Sequence, residues 1–180
     1  MNEILNLLMN ASGGAATHRV AERFGLSDDQ AGNALAQLVP ALMAGLQSNT
    51  SQQGGMEALL GALSRGSHSE YLERPDLLDR EETVTEGNAI LSHILGSKDV
   101  SRSVASRAAG QTGIGEDILK KMLPIAATMV MGALSRQTAP ARAAAPQGAA
   151  GLLTQLLDQN RDGSIADDVM GMLGRFLGGR

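Results

Sequence analysis

One helix-turn-helix phrase occurs twice in this chain, with its turn glycines, Gly25 and Gly113, 88 positions apart. The first copy runs Ala21-Glu-Arg-Phe-Gly25-Leu26-Ser27 and then, after three residues, reaches Ala31. The second runs Ala109-Gly-Gln-Thr-Gly113-Ile114-Gly115 and reaches Leu119 at the same distance. Each leads into a long apolar segment interrupted by a proline, Leu38-Val39-Pro40-Ala41-Leu42 and Met122-Leu123-Pro124-Ile125-Ala126. The spacing to that proline differs by four residues, about one helical turn. A duplicated helical corner leaves few architectures open. The expectation is a pair of related helical units, each long helix bent near its proline.

Composition agrees with helices. Aromatic residues make up 2% of the chain, only Phe24, Tyr71 and Phe176, against 43% hydrophobic residues overall. Such a ring-poor core suits closely packed helices, whereas sheets draw on aromatic and β-branched side chains. The net charge of −4 provides no global field toward nucleic acid or acidic membranes. With no cysteine, disulfide and thiol chemistry are excluded. The start, Met1-Asn-Glu-Ile, places an acid where a signal peptide needs basic residues. The uncharged stretch Met122 to Leu134 is shorter than a bilayer span. The chain is therefore expected to be cytoplasmic, with no membrane span.

Local signals divide the chain into a first helical repeat over 1–70, a connector over 71–84 and a second repeat over 85–136, packed on the first. A linker over 137–150 and a tail over 151–180 complete it. Within the first repeat, Gly25 suits a helix C-cap and Ser27-Asp28-Asp29-Gln30 reads as a capping box. Apolar residues at 31, 35, 38, 39, 42, 43 and 46 then keep the helical period. Residues 66–84 are more polar and read as a solvated connector with about one helical turn. Thr83-Val84-Thr85-Glu86 offers a further capping box, and Ser97 can cap a helix from Lys98 to Ala109. The run 137–150 is rich in alanine and holds two prolines, a composition that reads as a linker.

The sharpest chemical motif lies in the tail, Asp158-Gln-Asn160-Arg-Asp162-Gly163-Ser164-Ile165. Alternating oxygen side chains at loop positions 1, 3 and 5, with glycine at 6, converge on one point as a calcium loop requires. Asp158, Asn160 and Asp162 would bind through side chains and Ser164 through its backbone carbonyl. Position 12 is Val169, where a bidentate Glu is expected, so Asp168 is the replacement ligand. The expected cofactor is Ca²⁺. The competing reading is a helix-capping turn with solvated acids.

The duplicated corner also admits a nucleic-acid reading. Its first copy has no Lys or Arg between Arg23 and Arg65, and Asp28 and Asp29 open its second helix, which repels phosphate. The second copy supplies Lys98, Arg102, Arg107, Lys120 and Lys121, offset by Asp99, Glu116 and Asp117. A continuous basic face over those five cations would favour nucleic acid, and scattered charges would favour a protein partner. The balance of charge weighs against nucleic acid. No enzyme is indicated: His18, His68 and His93 are far apart, and Gly113-Ile-Gly115 lacks the third glycine of a dinucleotide fingerprint.

Ala89-Ile-Leu-Ser-His-Ile-Leu-Gly96-Ser-Lys-Asp-Val, Leu123-Pro124, Met131-Gly132-Ala133-Leu134 and the Asp158–Asp168 tail together resemble the bacterial "domain of unknown function 937" proteins. They are distantly similar to the YidB-like helical proteins. The resemblance covers most of the chain and implies an all-helical bacterial protein, with no activity or catalytic residue to carry over. Asn160 stands where the family commonly has Asp. The expected fold is all-α, a multihelical bundle of two pseudo-repeated helix-turn-helix-like halves plus a C-terminal helix-loop-helix tail. The expected function is a non-catalytic interaction or assembly protein with protein partners and a calcium-stabilised tail. The alternative is a nucleic-acid-binding regulator using the second repeat.

Overall fold

The computed structural model describes residues 3–66, 68–144 and 146–158. In order, these form α1 (Glu3–Asn10), α2 (Ala15–Phe24), α3 (Asp28–Thr50), α4 (Gly55–Arg65) and α5 (Glu70–Glu73). There follow α6 (Glu81–Ile94), α7 (Lys98–Thr112), α8 (Glu116–Ala144) and α9 (Pro146–Asp158), with 3-10 turns at Ala11–Gly14 and Pro75–Asp79. Among the described residues there is no strand. The fold is all-α and multihelical.

The duplicated corner keeps its register in three dimensions. The helix pairs α2–α3 and α7–α8 break and restart at positions that preserve the 88-residue offset, Phe24 to Asp28 and Thr112 to Glu116. Gly25 and Gly113 both adopt left-handed backbone, φ 65° and 72°. Only glycine takes that conformation without a Cβ penalty, and it turns their amides back onto the preceding helix, Gly113 N–H onto Ala109 O at 2.9 Å. The capping box forms at the first corner: Gln30 N–H donates to Ser27 Oγ and Ser27 N–H to Gln30 Oε1, at 3.2 and 3.0 Å. Gly115 stands at the matching place in the second corner, where Ile114 N–H instead donates to Thr112 Oγ1 at 3.3 Å.

Beyond the corners, equivalent positions are buried in pairs: Leu35 and Leu123, Leu42 and Val130, Met43 and Met131, Leu46 and Leu134. The prolines do not share this register, since Pro40 matches Thr128. Both helices run on through their prolines, exposed Pro40 in α3 and buried Pro124 in α8. The glycine-centred corner is thus the repeated unit, and the proline is not part of it.

α8 is the axis of the molecule. Every residue from Met122 to Ser135 is buried, on all sides of the helix, and α8 is in contact with every other described helix. A helix apolar around its whole circumference is stable only when surrounded. Burying one Leu- or Met-sized side chain contributes roughly 1.5–3 kcal/mol, whereas an exposed ion pair is worth about 0–1. The fold therefore rests on this packing far more than on its surface salt bridges. By length and composition Glu116–Ala141 could cross a membrane, because the apolar run continues past Leu134 with Arg136 as its one added charge. Of its most apolar window 83% is buried in the bundle, so its apolar surface is already covered by protein.

The backbones of α6 and α8 cross at close range. A Cβ placed on Gly87 would lie 2.1 Å from the carbonyl oxygen of Pro124. Alongside, Thr128 Oγ1 donates to Pro124 O at 2.9 Å and lies 3.5 Å from Thr83 O. Pro124 itself removes one amide from the helix ladder. The threonine hydroxyl and the missing glycine side chain let the two backbones approach at that point.

Three expectations are corrected. Residues 137–150 are not a linker: α8 runs to Ala144, α9 begins at Pro146, and both Thr138 and Ala149 are fully buried. Alanine is the strongest helix former, and Pro146 takes the first helical position, where its missing N–H costs nothing. The connector 71–84 is not simply solvated: α5 and the following 3-10 turn bury Leu72, Leu77 and Leu78 while turning Glu73, Arg74 and Asp79 outward. The Thr83–Glu86 capping box does not form, because α6 already starts at Glu81 and Thr83 Oγ1 donates to Leu77 O at 2.6 Å. The expected tail helix-loop-helix beyond Asp158 lies outside the described residues.

Replacing Gly87 with Ala should therefore destabilise the protein by about 1–3 kcal/mol or more, since neither proline backbone nor helix axis can yield cheaply. Gly110, a helical glycine with open space around its Cβ position, is the control: Gly110→Ala should stabilise by roughly 0.5–1 kcal/mol. Chemical denaturation of the two variants beside the parent checks both signs.

Candidate functional site

The five cations expected for nucleic acid do not form one continuous face. Lys98, Arg102 and Lys120 line a single open groove of about 620 Å³ between α6, α7 and α8. Lys121 lines a different groove, about 680 Å³, with Arg23, Phe24, Glu81 and Ile118, and Arg107 is exposed and lines neither. Two of the three gathered cations are already paired. Arg102 donates to Asp99 at 2.9 Å, and Lys120 sits 2.7 Å from Glu116 and 3.7 Å from Asp117. The hydrogen bond from Lys120 is the main cause holding the Glu116 carboxyl below its usual range and, reciprocally, raising the Lys120 ammonium.

Of the calcium-ligand candidates, Asp158 is the last residue of α9, and its side chain is outside what the structure describes. Asn160, Asp162, Ser164 and Asp168 lie outside the described residues altogether. Among the described residues no three His, Asp or Glu side chains are grouped as a metal site.

Two polar clusters went unnoticed in the sequence. In the first, His68 is 5% exposed, held between α5, α6 and α8. Small residues make room for it: a Cβ on Gly66 would meet its ring, and one on Gly132 its carbonyl oxygen. His68 Nδ1 lies 3.0 Å from Glu86 Oε1, at ion-pair distance but off the line a hydrogen bond needs. Tyr71 donates its hydroxyl to the other oxygen of Glu86. Burial first, then that carboxylate, push the Tyr71 phenol up to about 12. No sequence spacing flags this cluster, because Glu86 lies 15 residues beyond Tyr71 and reads locally as a helix cap.

The second cluster is exposed and crosses the first corner. His18 Nδ1 is 2.8 Å from Asp28 Oδ1, and its Nε2 is 3.6 Å from Glu22. Beside it, Arg19 reaches Glu22 at 2.9 Å and Asp79 at 3.0 Å, joining α2 to the turn before α6. The hydrogen bond to Asp28 is the leading cause that raises the His18 imidazole above 6.5. Both clusters join separate elements of the fold.

Two titrations follow. Because Tyr71 is the only tyrosine and there is no tryptophan, phenolate absorbance reports it alone. The signal should stay absent through pH 10 and rise only toward about 12, and Glu86→Gln should bring it back toward the ordinary value. For His18 the folded state holds the proton more tightly than the unfolded chain. Its contribution is therefore complete below about pH 6.5 and lost as pH rises through the raised folded value. Thermal melts of the parent and His18→Gln should differ most in mildly acidic buffer and converge on the alkaline side.

The chain matches the family described as "Bacterial protein of unknown function (DUF937)" over residues 6–137 and 139–178. No curated protein and no solved structure gives a match. A match spanning both helical corners, the α6–α8 crossing and the acidic tail covers nearly every feature described above. The chain belongs to this bacterial DUF937 family.

Proposed function

We propose that the protein is a non-catalytic interaction or assembly protein, a closed helical body that carries a calcium-stabilised C-terminal segment toward its partners. The observation that carries this reading is the placement of Asp158. The first residue of the acidic pattern is the last residue of α9. That helix is anchored through buried Ala149, Leu153, Leu156 and Leu157 and contacts α8, α3 and α4. The acidic pattern thus starts from a fixed point on the bundle. The same helix leaves Leu152 exposed, an apolar contact available on its outer face. Where titratable groups meet elsewhere, around His68 and around His18, they tie helices together, which suits a body that presents a surface.

Calcium would be held by Asp158, Asn160, Asp162, the Ser164 carbonyl and Asp168. Val169 at the twelfth position removes two oxygens, so affinity should be weak, roughly 10⁻⁴–10⁻³ M. Calorimetric titration of the full chain with calcium should show binding in that range, abolished by Asp158→Ala together with Asp162→Ala. Affinity capture from the native host should then retain partners in calcium that are lost in chelator and with the double variant. No heat on titration, with the same partners retained in every condition, would contradict the calcium half of the proposal. An empty capture under all conditions would contradict the interaction half.

A further inference from the structure

We propose that the groove between α6, α7 and α8 binds a small phosphorylated organic molecule. Its cationic wall is formed by Lys98 and Arg102, one turn apart on α7, and by Lys120 on α8. Asn88 and Ser92 of α6, with Ser97 and Ser101, add neutral hydrogen-bonding groups, and no carboxylate lines the space. The groove's own lining is therefore cationic, while the three carboxylates nearest to it stand just outside. Asp99, Glu116 and Asp117 do not line the groove. They engage Arg102 and Lys120 from outside it, fixing both side chains and tempering their field. Among the described residues Lys98 has no such partner, so its charge is the least compensated of the three.

The size and lining select the ligand class. A volume of about 620 Å³ exceeds what inorganic phosphate needs and falls within the range of small-molecule sites. Leu91 and Leu123 give it an apolar part against which an organic body can lie. Several point charges with hydroxyl groups suit a phosphomonoester or diphosphate, whose oxygens accept from many directions. No aromatic ring lines the groove to stack a base. Lys121 and Arg107 lie elsewhere, so the cations do not track an extended phosphate backbone. The observations therefore favour a compact phosphorylated ligand over nucleic acid. This inference is independent of the calcium reading.

The test is a titration of the full isotope-labelled chain with pyrophosphate, followed by amide NMR shifts, with a short DNA duplex in a parallel arm. Pyrophosphate should give saturable shifts centred on Ser92, Ser97–Arg102 and Lys120. Lys98→Gln combined with Arg102→Gln should weaken binding at least tenfold. Both side chains are exposed, so unchanged melting of the double variant verifies that the fold is intact. Lys121→Gln should leave pyrophosphate binding unaltered. The proposal is overturned if pyrophosphate gives no saturable shift, or if its shifts fall outside the groove. It is also overturned if duplex DNA binds more tightly and Lys121→Gln weakens that binding as much as the groove variants do, since the surface would then be a nucleic-acid face.

Discussion

The enclosure of α8 is the constraint on which the rest of the structure depends. A helix buried from Met122 to Ser135 has no polar face to turn toward water, so the other helices must close around it. The close approach of Gly87 to the Pro124 backbone sets how closely α6 can lie. Thr83 and Thr128, fully buried beside it, keep their hydroxyls satisfied by neighbouring carbonyls. Leaving either hydroxyl unpaired would cost roughly 1–3 kcal/mol. The crossing thus combines apolar contact with local polar satisfaction.

Around that axis the fold uses the same corner twice with different chemistry. The first corner is acidic and self-capped, with Ser27 and Gln30 closing the helix start and His18 clasping Asp28 across the turn. At the second, Gly115 supplies no cap, and the surrounding surface holds lysines, an arginine and the acids that engage two of them. Keeping the backbone of a corner while changing its surface charge is a direct route from duplication to divergence. The first copy lends Arg23 and Phe24 to the groove that holds Lys121, and the second supplies the central helix α8 and the cationic wall of the other groove.

Much of this was legible in the sequence, and the reasons for success and failure are specific. Gly25, Gly113, Ser27 and Ser97 revealed helix ends because caps are local: the residue that satisfies an orphan amide lies within a few positions of it. The heptad-like apolar spacing from Ala31 to Leu46 likewise revealed a buried face. The stretch 137–150 looks like a linker because its prolines mask its alanines, yet Pro146 sits where a helix accepts it and Pro140 on an exposed position of α8. Residues 66–84 misled because their charges outnumber the leucines that decide burial. The association of His68, Tyr71 and Glu86, and the gathering of only three of five basic candidates in one groove, depend on how separate helices meet. No local pattern encodes that.

Amide hydrogen exchange of the full chain tests the central claim most directly, since it measures the opening free energy of each segment in the intact fold. The account places the slowest amides in α8 between Met122 and Ser135, near the global unfolding limit. Substantial protection should also extend through Thr138 and across Ala149 to Leu157 in α9. Rapid exchange through residues 137–150, or opening of Met129–Leu134 ahead of the surrounding helices, would contradict an enclosed axis that continues into a docked last helix.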